Sequence, residues 1–223
     1  MRPEDASTDP KVILRPVQES DVPQFARIHL DAWAEAYRGL LPDELLDART
    51  LEGQTQKWHR SLAPMIAAGN DMAGGERGMA GGERGAAGEA TPEVPAPSST
   101  PDNASGEPWD ECFVAEVAGE LVGWIIVGRA REENYQHMGE LKGIYVAPEH
   151  FGQGAGSALI ELGERTIAAH GHESAYLWVL AGNERAIRFY QSHGWQAPSD
   201  YASKTVSIDG HAATEERYVK NLF

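Results

Sequence analysis

Polar and apolar positions along this chain follow two rhythms. Lys11 to Val17 (KVILRPV) is a short apolar run stopped by Pro16, the pattern of a first strand. Val22, Phe25, Ile28, Ala32 and Ala36 then recur at three- and four-residue steps, which places them on one stripe of a helix. Ser20 or Asp21 can cap that helix, Pro23 fits its first turn, and Gly39 ends it. Trp33 and Tyr37 lie four apart and share a face near its end. A short helix over Asp43 to Ala48 and a second over Leu51 to Leu62, capped by Thr50, follow. After an interruption, Glu111 to Ala118 and Leu121 to Gly128 are apolar runs about a Gly119-Glu120 turn, which predicts a hairpin. Gly139 to Val146 reads as a strand, and Gly154 to Ala169 as a helix with Ala155, Ala158, Leu159 and Leu162 inward and Gly171 as its stop. Ala175 to Leu180 is a buried strand. Asn183 caps a helix that runs to Gly194, and Tyr201 to Ile208 and Glu215 to Asn221 close the chain as a pair of strands joined through Asp209-Gly210. Together these elements predict an α/β layer on a mixed sheet.

The interruption is compositional. Met72-Ala-Gly-Gly-Glu-Arg-Gly78 repeats at once as residues 79–85, and a Pro- and Ser-rich stretch follows. Two copies are too few for a solenoid, and the segment has too few large apolar side chains to offset the entropy of ordering. Residues 69–108 are therefore expected to be a disordered insert within one domain spanning residues 11–223. From Pro64 to Pro108 seven acidic residues face only Arg77 and Arg84. Asn103-Ala-Ser105 matches a glycosylation acceptor by chance composition.

The formal net charge of −15 over 223 residues argues against nucleic acid as a partner and is compatible with a cationic small-molecule or peptide substrate. A single cysteine, Cys112, allows no internal disulfide and fits a reducing compartment. No apolar run has the length of a membrane span, and MRPEDASTDP lacks the apolar core of a signal peptide, so the expected setting is cytoplasmic, away from membranes. The eight histidines show no metal-ligand spacing, and no metal is implied.

Leu141 to Ser157, LKGIYVAPEHFGQGAGS, concentrates the chemistry. A strand turns at Pro148 and enters a helix through Gly152, Gly154 and Gly156. Such a turn lets backbone N–H groups surround a phosphate at a helix N-terminus. Ala155-Gly156-Ser157 lacks the lysine of a Walker loop, and the turn lies too late in the chain for a Rossmann fingerprint. A second stretch, Val179 to Trp195, combines Asn183, Ala186, Tyr190 and Gly194.

Taken together, YVAPEHFGQGAG and N-x-x-A-x-x-x-Y-x-x-x-G-W resemble the two motifs of the GNAT superfamily of acetyl-CoA-dependent N-acetyltransferases. The resemblance covers Val12 to Leu62 and Glu111 to the end of the chain. It implies a mixed, mostly antiparallel central sheet with helices on both faces, and direct transfer of acetyl from acetyl-CoA to a primary amine of a small molecule, peptide or protein. It also implies that Phe151, Gly152, Gln153, Gly154, Ala155, Gly156 and Ser157 grip the pyrophosphate. Ile144, Tyr145 and Val146 would track the pantetheine, together with Asn183, Ala186 and Tyr190. A main-chain N–H near Ile144 would stabilise the oxyanion. Phe151 departs from the family, which often has Gln or Arg there, so the grip must rest on backbone. The resemblance makes Tyr190 the general acid toward the leaving thiolate and Glu140 the candidate general base. Glu116, His137, His150 and His193 are weaker bases. Substrate choice is expected at Trp33 and Tyr37, with Trp58 nearby. Dimers are common in the family, which leaves a homodimer open. The rival reading is a non-catalytic acyl-CoA-binding or sensor module on the same fold.

Overall fold

The computed structural model describes residues 11–75, 109–200 and 202–223, with backbone alone for 70–75. Seven strands form one sheet in the order β1-β2-β3-β4-β5-β7-β6. The strands are β1 (Val12–Pro16), β2 (Asp110–Val117), β3 (Glu120–Arg129), β4 (Gly139–Val146), β5 (Ser174–Leu180), β6 (Ser203–Ile208) and β7 (His211–Asn221). Every neighbouring pair is antiparallel except β4 and β5, which run parallel. The helices are α1 (Val22–Tyr37), α2 (Asp43–Asp47), α3 (Leu51–Gly75), α4 (Ala155–Ala169) and α5 (Glu184–Ser192).

The two-residue period of the strands sorts their side chains onto two faces. Phe113, Ala115 and Val117 of β2 join Ile125 and Val127 of β3 in a core covered by Leu159, Ile160, Leu162 and Ile167 of α4. Cys112 and Val114 face the other way and meet Trp124, Phe25, Ile28 and Leu62, so α1 and α3 cover the opposite face. A Cβ built on Gly163 of α4 would stand 2.6 Å from Ile125 Cδ1, so glycine at this position sets how closely the helix lies on the sheet.

Three local readings change. The hairpin turn falls on Ala118-Gly119, with φ 53° and 83°, one residue earlier than Gly119-Glu120. Two positive φ angles give the twist that a two-residue hairpin needs, and Asp209-Gly210 does the same between β6 and β7. Asp21 begins α1 without capping it by its side chain. Its carboxylate instead accepts two bonds from the Arg15 guanidinium, at 2.6 and 2.8 Å, and one from the Gln18 N–H at 2.7 Å. Third, α3 continues through Pro64 to Gly75, past the composition break, and overlaps the start of the segment expected to be disordered. Residues 76–108 of that segment, with the last three residues of the first repeat, the whole of the second and Asn103, lie outside the described residues. Among the described residues no helix is long and apolar enough to cross a membrane.

Candidate functional site

Where β4 and β5 run side by side they are paired only at Gly139–Ala175 and Glu140–Tyr176. The cause of their parting lies in β4. Its register against β3 jumps from Ile126–Gly143 to Val127–Leu141, so Lys142 is an extra residue, and such a bulge bends and twists the strand that carries it. From Leu141 to Val146 the β5-facing edge of β4 therefore has no ladder partner. The gap is a cleft of about 900 Å³. Ile144, Tyr145 and Val146 line one wall, Val179, Asn183, Ala186, Phe189 and Tyr190 the other, and Phe151, Gly152, Gly154, Gly156 and Ser157 its end.

At that end a 3-10 turn over Pro148–His150 delivers the chain to α4 through Gly152 and Gly154, at φ 74° and 89°. Only glycine enters this left-handed region freely. Nothing lies within 4 Å of where a Cβ would stand on either glycine, so the turn offers open room above bare backbone. The first N–H groups of α4 have no partner within the helix, and the helix dipole adds positive potential there. A pyrophosphate fits this cradle by chemistry and by space. Two residues of the expected grip stand outside the cleft wall. Ala155 is buried in the α4 core, and the Gln153 side chain donates to the Glu149 carbonyl at 2.8 Å.

Phe151 does not leave the mouth without a cation. The Arg185 guanidinium lies 4.1 Å over the Phe151 ring and lines the cleft, and its ion pair with the exposed Glu35 is a long 3.7 Å contact. Sequence reasoning passed over Arg185, whose only signal is its place in the first turn after the Asn183 cap. His193 supports the same end. Its Nδ1 is 2.8 Å from the Phe189 carbonyl, which can only accept, so Nδ1 carries hydrogen in the neutral ring. Nε2, 3.1 Å from Ser157 Oγ, then accepts from the serine.

Asn183 caps α5, its side-chain oxygen accepting from the Ala186 N–H at 3.2 Å, and still faces the cleft. Two turns on, Tyr190 is buried, and burial pushes its hydroxyl pKa well up, helped by Tyr37. It stays protonated across the working pH range. Tyr37 lines the cleft too, with its hydroxyl in hydrogen-bond contact with Tyr145.

Glu140 has a different place. It is buried and absent from the cleft wall. One carboxylate oxygen accepts from Nε of Arg131 at 2.9 Å and from the same guanidinium's terminal nitrogen, while the other accepts from the Arg131 N–H at 2.9 Å and the Tyr176 hydroxyl at 3.0 Å. Burial alone would raise its pKa, but the Arg131 guanidinium and N–H outweigh that and hold it below the usual value. A carboxylate with four donors and a depressed pKa is a poor proton acceptor, so this geometry makes Glu140 an anchor for the loop after β3. Trp33 also stands off the cleft, packed with Leu41, Leu45 and Leu46 beneath the Arg49 guanidinium, 3.6 Å from its ring. Trp58 packs on Phe25 and Trp124. Glu116 is tied to Arg15 at 2.5 Å on the far side of the sheet, and His150 lines the cleft mouth. Among the described residues no group of three or more His, Cys, Asp or Glu could hold a metal.

Known proteins similar to this chain in sequence or fold include acetyltransferases. The model of the Acetyltransferase (GNAT) family matches residues 87–195. An uncharacterised N-acetyltransferase of Bacillus subtilis, YuaI, is 24% identical over 200 residues, covering 89% of this chain and 87% of that protein. The mycothiol acetyltransferase of Streptomyces griseus is 35% identical over 97 residues, 42% of this chain and 31% of that protein. The chain thus spans about a third of the mycothiol acetyltransferase it matches. Among solved structures, the PaiA N-acetyltransferase of Thermoplasma acidophilum in complex with coenzyme A superposes with a TM-score of 0.58 at 16% identity, over 95% of this chain and 99% of that one.

Proposed function

This chain belongs to the GNAT acetyltransferases, and from that premise we propose that it transfers acetyl from acetyl-CoA directly to a primary amine, with no acylated side chain on the way. The observation that carries the reading is the β4–β5 cleft, which has a phosphate cradle at one end and the protonated Tyr190 on its wall. Acetyl-CoA supplies the thioester, the activated acyl group on which the reaction depends. The turn from Gly152 to Ser157 holds phosphate with backbone N–H groups. The unpaired edge of β4 from Leu141 to Val146 offers main-chain donors and acceptors to an extended arm bearing amides, and one N–H near Ile144 faces the carbonyl oxygen as charge develops there. Tyr190 gives its proton to the sulfur as the thiolate leaves.

Glu140 is assigned to holding the loop rather than to taking a proton. The amine loses its proton to solvent as it enters, so kcat/KM should climb with pH until the acceptor's own pKa, about 10 for an alkyl amine. Release of thiol from acetyl-CoA over a panel of amines tests the reading. Tyr190→Phe should cut kcat by roughly 10²- to 10⁴-fold with little change in cofactor affinity. Wild-type turnover in that variant removes Tyr190 from the mechanism. Thermal stabilisation by coenzyme A without turnover on any amine favours a binding module instead.

A further inference from the structure

Resting on the acetyl-transfer reading of the cleft, we propose that the acceptor carries a second positive charge besides the reacting amine. Glu132, Glu215 and the indole face of Trp178 form the subsite that takes this charge in exchange for the ammonium of Lys204.

All four side chains line the cleft. The Lys204 Nζ stands 2.5 Å from Glu132 Oε1, 3.7 Å from Glu215 Oε2 and 4.0 Å from the centroid of the Trp178 ring. Two carboxylates and an aromatic face converging on one point form an ammonium cage, because the ring quadrupole and both acids favour the same charge. The chain itself fills the cage, so its selectivity for an alkyl ammonium is visible without a ligand. The three charged groups come from separate elements. Lys204 is on β6, Glu215 lies directly opposite it on β7, and Glu132 lies in the loop after β3.

Exchange is cheap. The side chains of Lys204, Glu132 and Glu215 are 34%, 35% and 27% exposed, and ion pairs so wetted are weak because solvent screens them. Lys204 swings out on a flexible stem, and an incoming ammonium recovers the same contacts. The frame around the cage is firmer. The buried Glu140 binds the Arg131 N–H and guanidinium, and the Tyr176 hydroxyl donates to Glu140 while meeting the Glu132 backbone, so Glu132 is held by a fixed main chain. Glu140 is thus a positioning residue for the cage. Two other cations near this wall are committed, Arg131 to Glu140 and Lys142 to Asp110.

Steady-state kinetics with 1,5-diaminopentane, n-pentylamine and 5-aminopentanoate test the proposal, with calorimetric titration of 1,5-diaminopentane into the coenzyme A complex as a measurement independent of turnover. We expect kcat/KM for the diamine to exceed that for pentylamine by about ten-fold or more. Glu215→Gln and Glu132→Gln should bring that ratio toward one and weaken diamine binding in the titration. Lys204→Met should lower the diamine KM, since the competing ammonium is gone. Equal use of diamine and pentylamine by the wild type overturns the proposal and leaves acetyl transfer standing. So does a preference for 5-aminopentanoate that Lys204→Met abolishes. Thiol release with none of the amines overturns the acetyl-transfer reading, and the titration then judges the subsite alone. Melting curves with coenzyme A show that each variant is folded.

Discussion

Arg185 and Phe151 share a job that either motif alone would assign to one residue. At 4.1 Å the guanidinium is held over the phenylalanine ring, at the rim of the glycine turn proposed to hold phosphate, and its long contact with Glu35 between two exposed side chains is weak enough to exchange. On the proposed reading, the cation that Phe151 cannot supply comes from the next helix, α5. Arg185→Ala should weaken binding of coenzyme A by about ten-fold, the loss of one charge-assisted contact of about 1.5 kcal/mol. It should weaken pantetheine binding little, because that fragment lacks the pyrophosphate. Calorimetry with both ligands checks this, and equal losses for the two would show that Arg185 only shapes the wall. Residues whose partners lie within one motif are legible from spacing. Seven positions separate Asn183 and Tyr190, two helical turns, and that puts both on the cleft. Arg185 and Glu140 were opaque because their partners come from distant segments. Glu140 looks like a free strand-end carboxylate until Tyr176 and the loop at Arg131 are brought against it.

At the scale of the element, hydrophobic period together with caps and glycine stops located the seven strands and five α-helices of the described residues, since these signals are local properties of the chain. It could not show that β4 leaves β5 after two pairs. That departure follows from one extra residue, Lys142, counted against β3, and register between strands is not written in either strand alone. Nor did composition mark the end of α3, where helical hydrogen bonding outlasts the apolar stripe. The turn from Gly152 to Gly154 is the element on which the cofactor reading depends. Gly154→Ala keeps open space around the new methyl but forces a side-chain-bearing residue to φ 89°, at a cost of about 1–2 kcal/mol. The turn can relax by tilting its N–H groups off their aim. The expected result is a fall in coenzyme A affinity of about ten-fold with a smaller fall in melting temperature. A variant that binds as tightly as wild type would move the phosphate contact away from this turn.

The whole molecule carries a net charge of −15, and acid should test it through a group remote from the phosphate cradle. His29 of α1 lies among the rings of Trp58, Trp124 and Tyr145, buried, with no hydrogen bond to Nδ1. Burial, aided by Lys57 and Arg49, pushes its pKa down to about 3. The unfolded chain takes up a proton at this residue near pH 6.5 that the folded protein refuses, so stability is full above that pH. Between about pH 6 and 3 it declines as acid is added, with a slope approaching about 1.4 kcal/mol per pH unit from this one group. Glu140, depressed by Arg131, adds a second loss only at lower pH, as its carboxylate becomes protonated. The net curve therefore mixes several groups, and a substitution separates them. His29→Phe retains an aromatic ring in the cage and removes the titrating nitrogen. Any strain from the larger ring shifts stability equally at every pH. Urea unfolding of both proteins from pH 7.5 down to 5.0 should show wild type losing about 2 kcal/mol more than the variant across that range. Parallel curves would mean that α1 opens over β4 far enough for His29 to take its proton without unfolding.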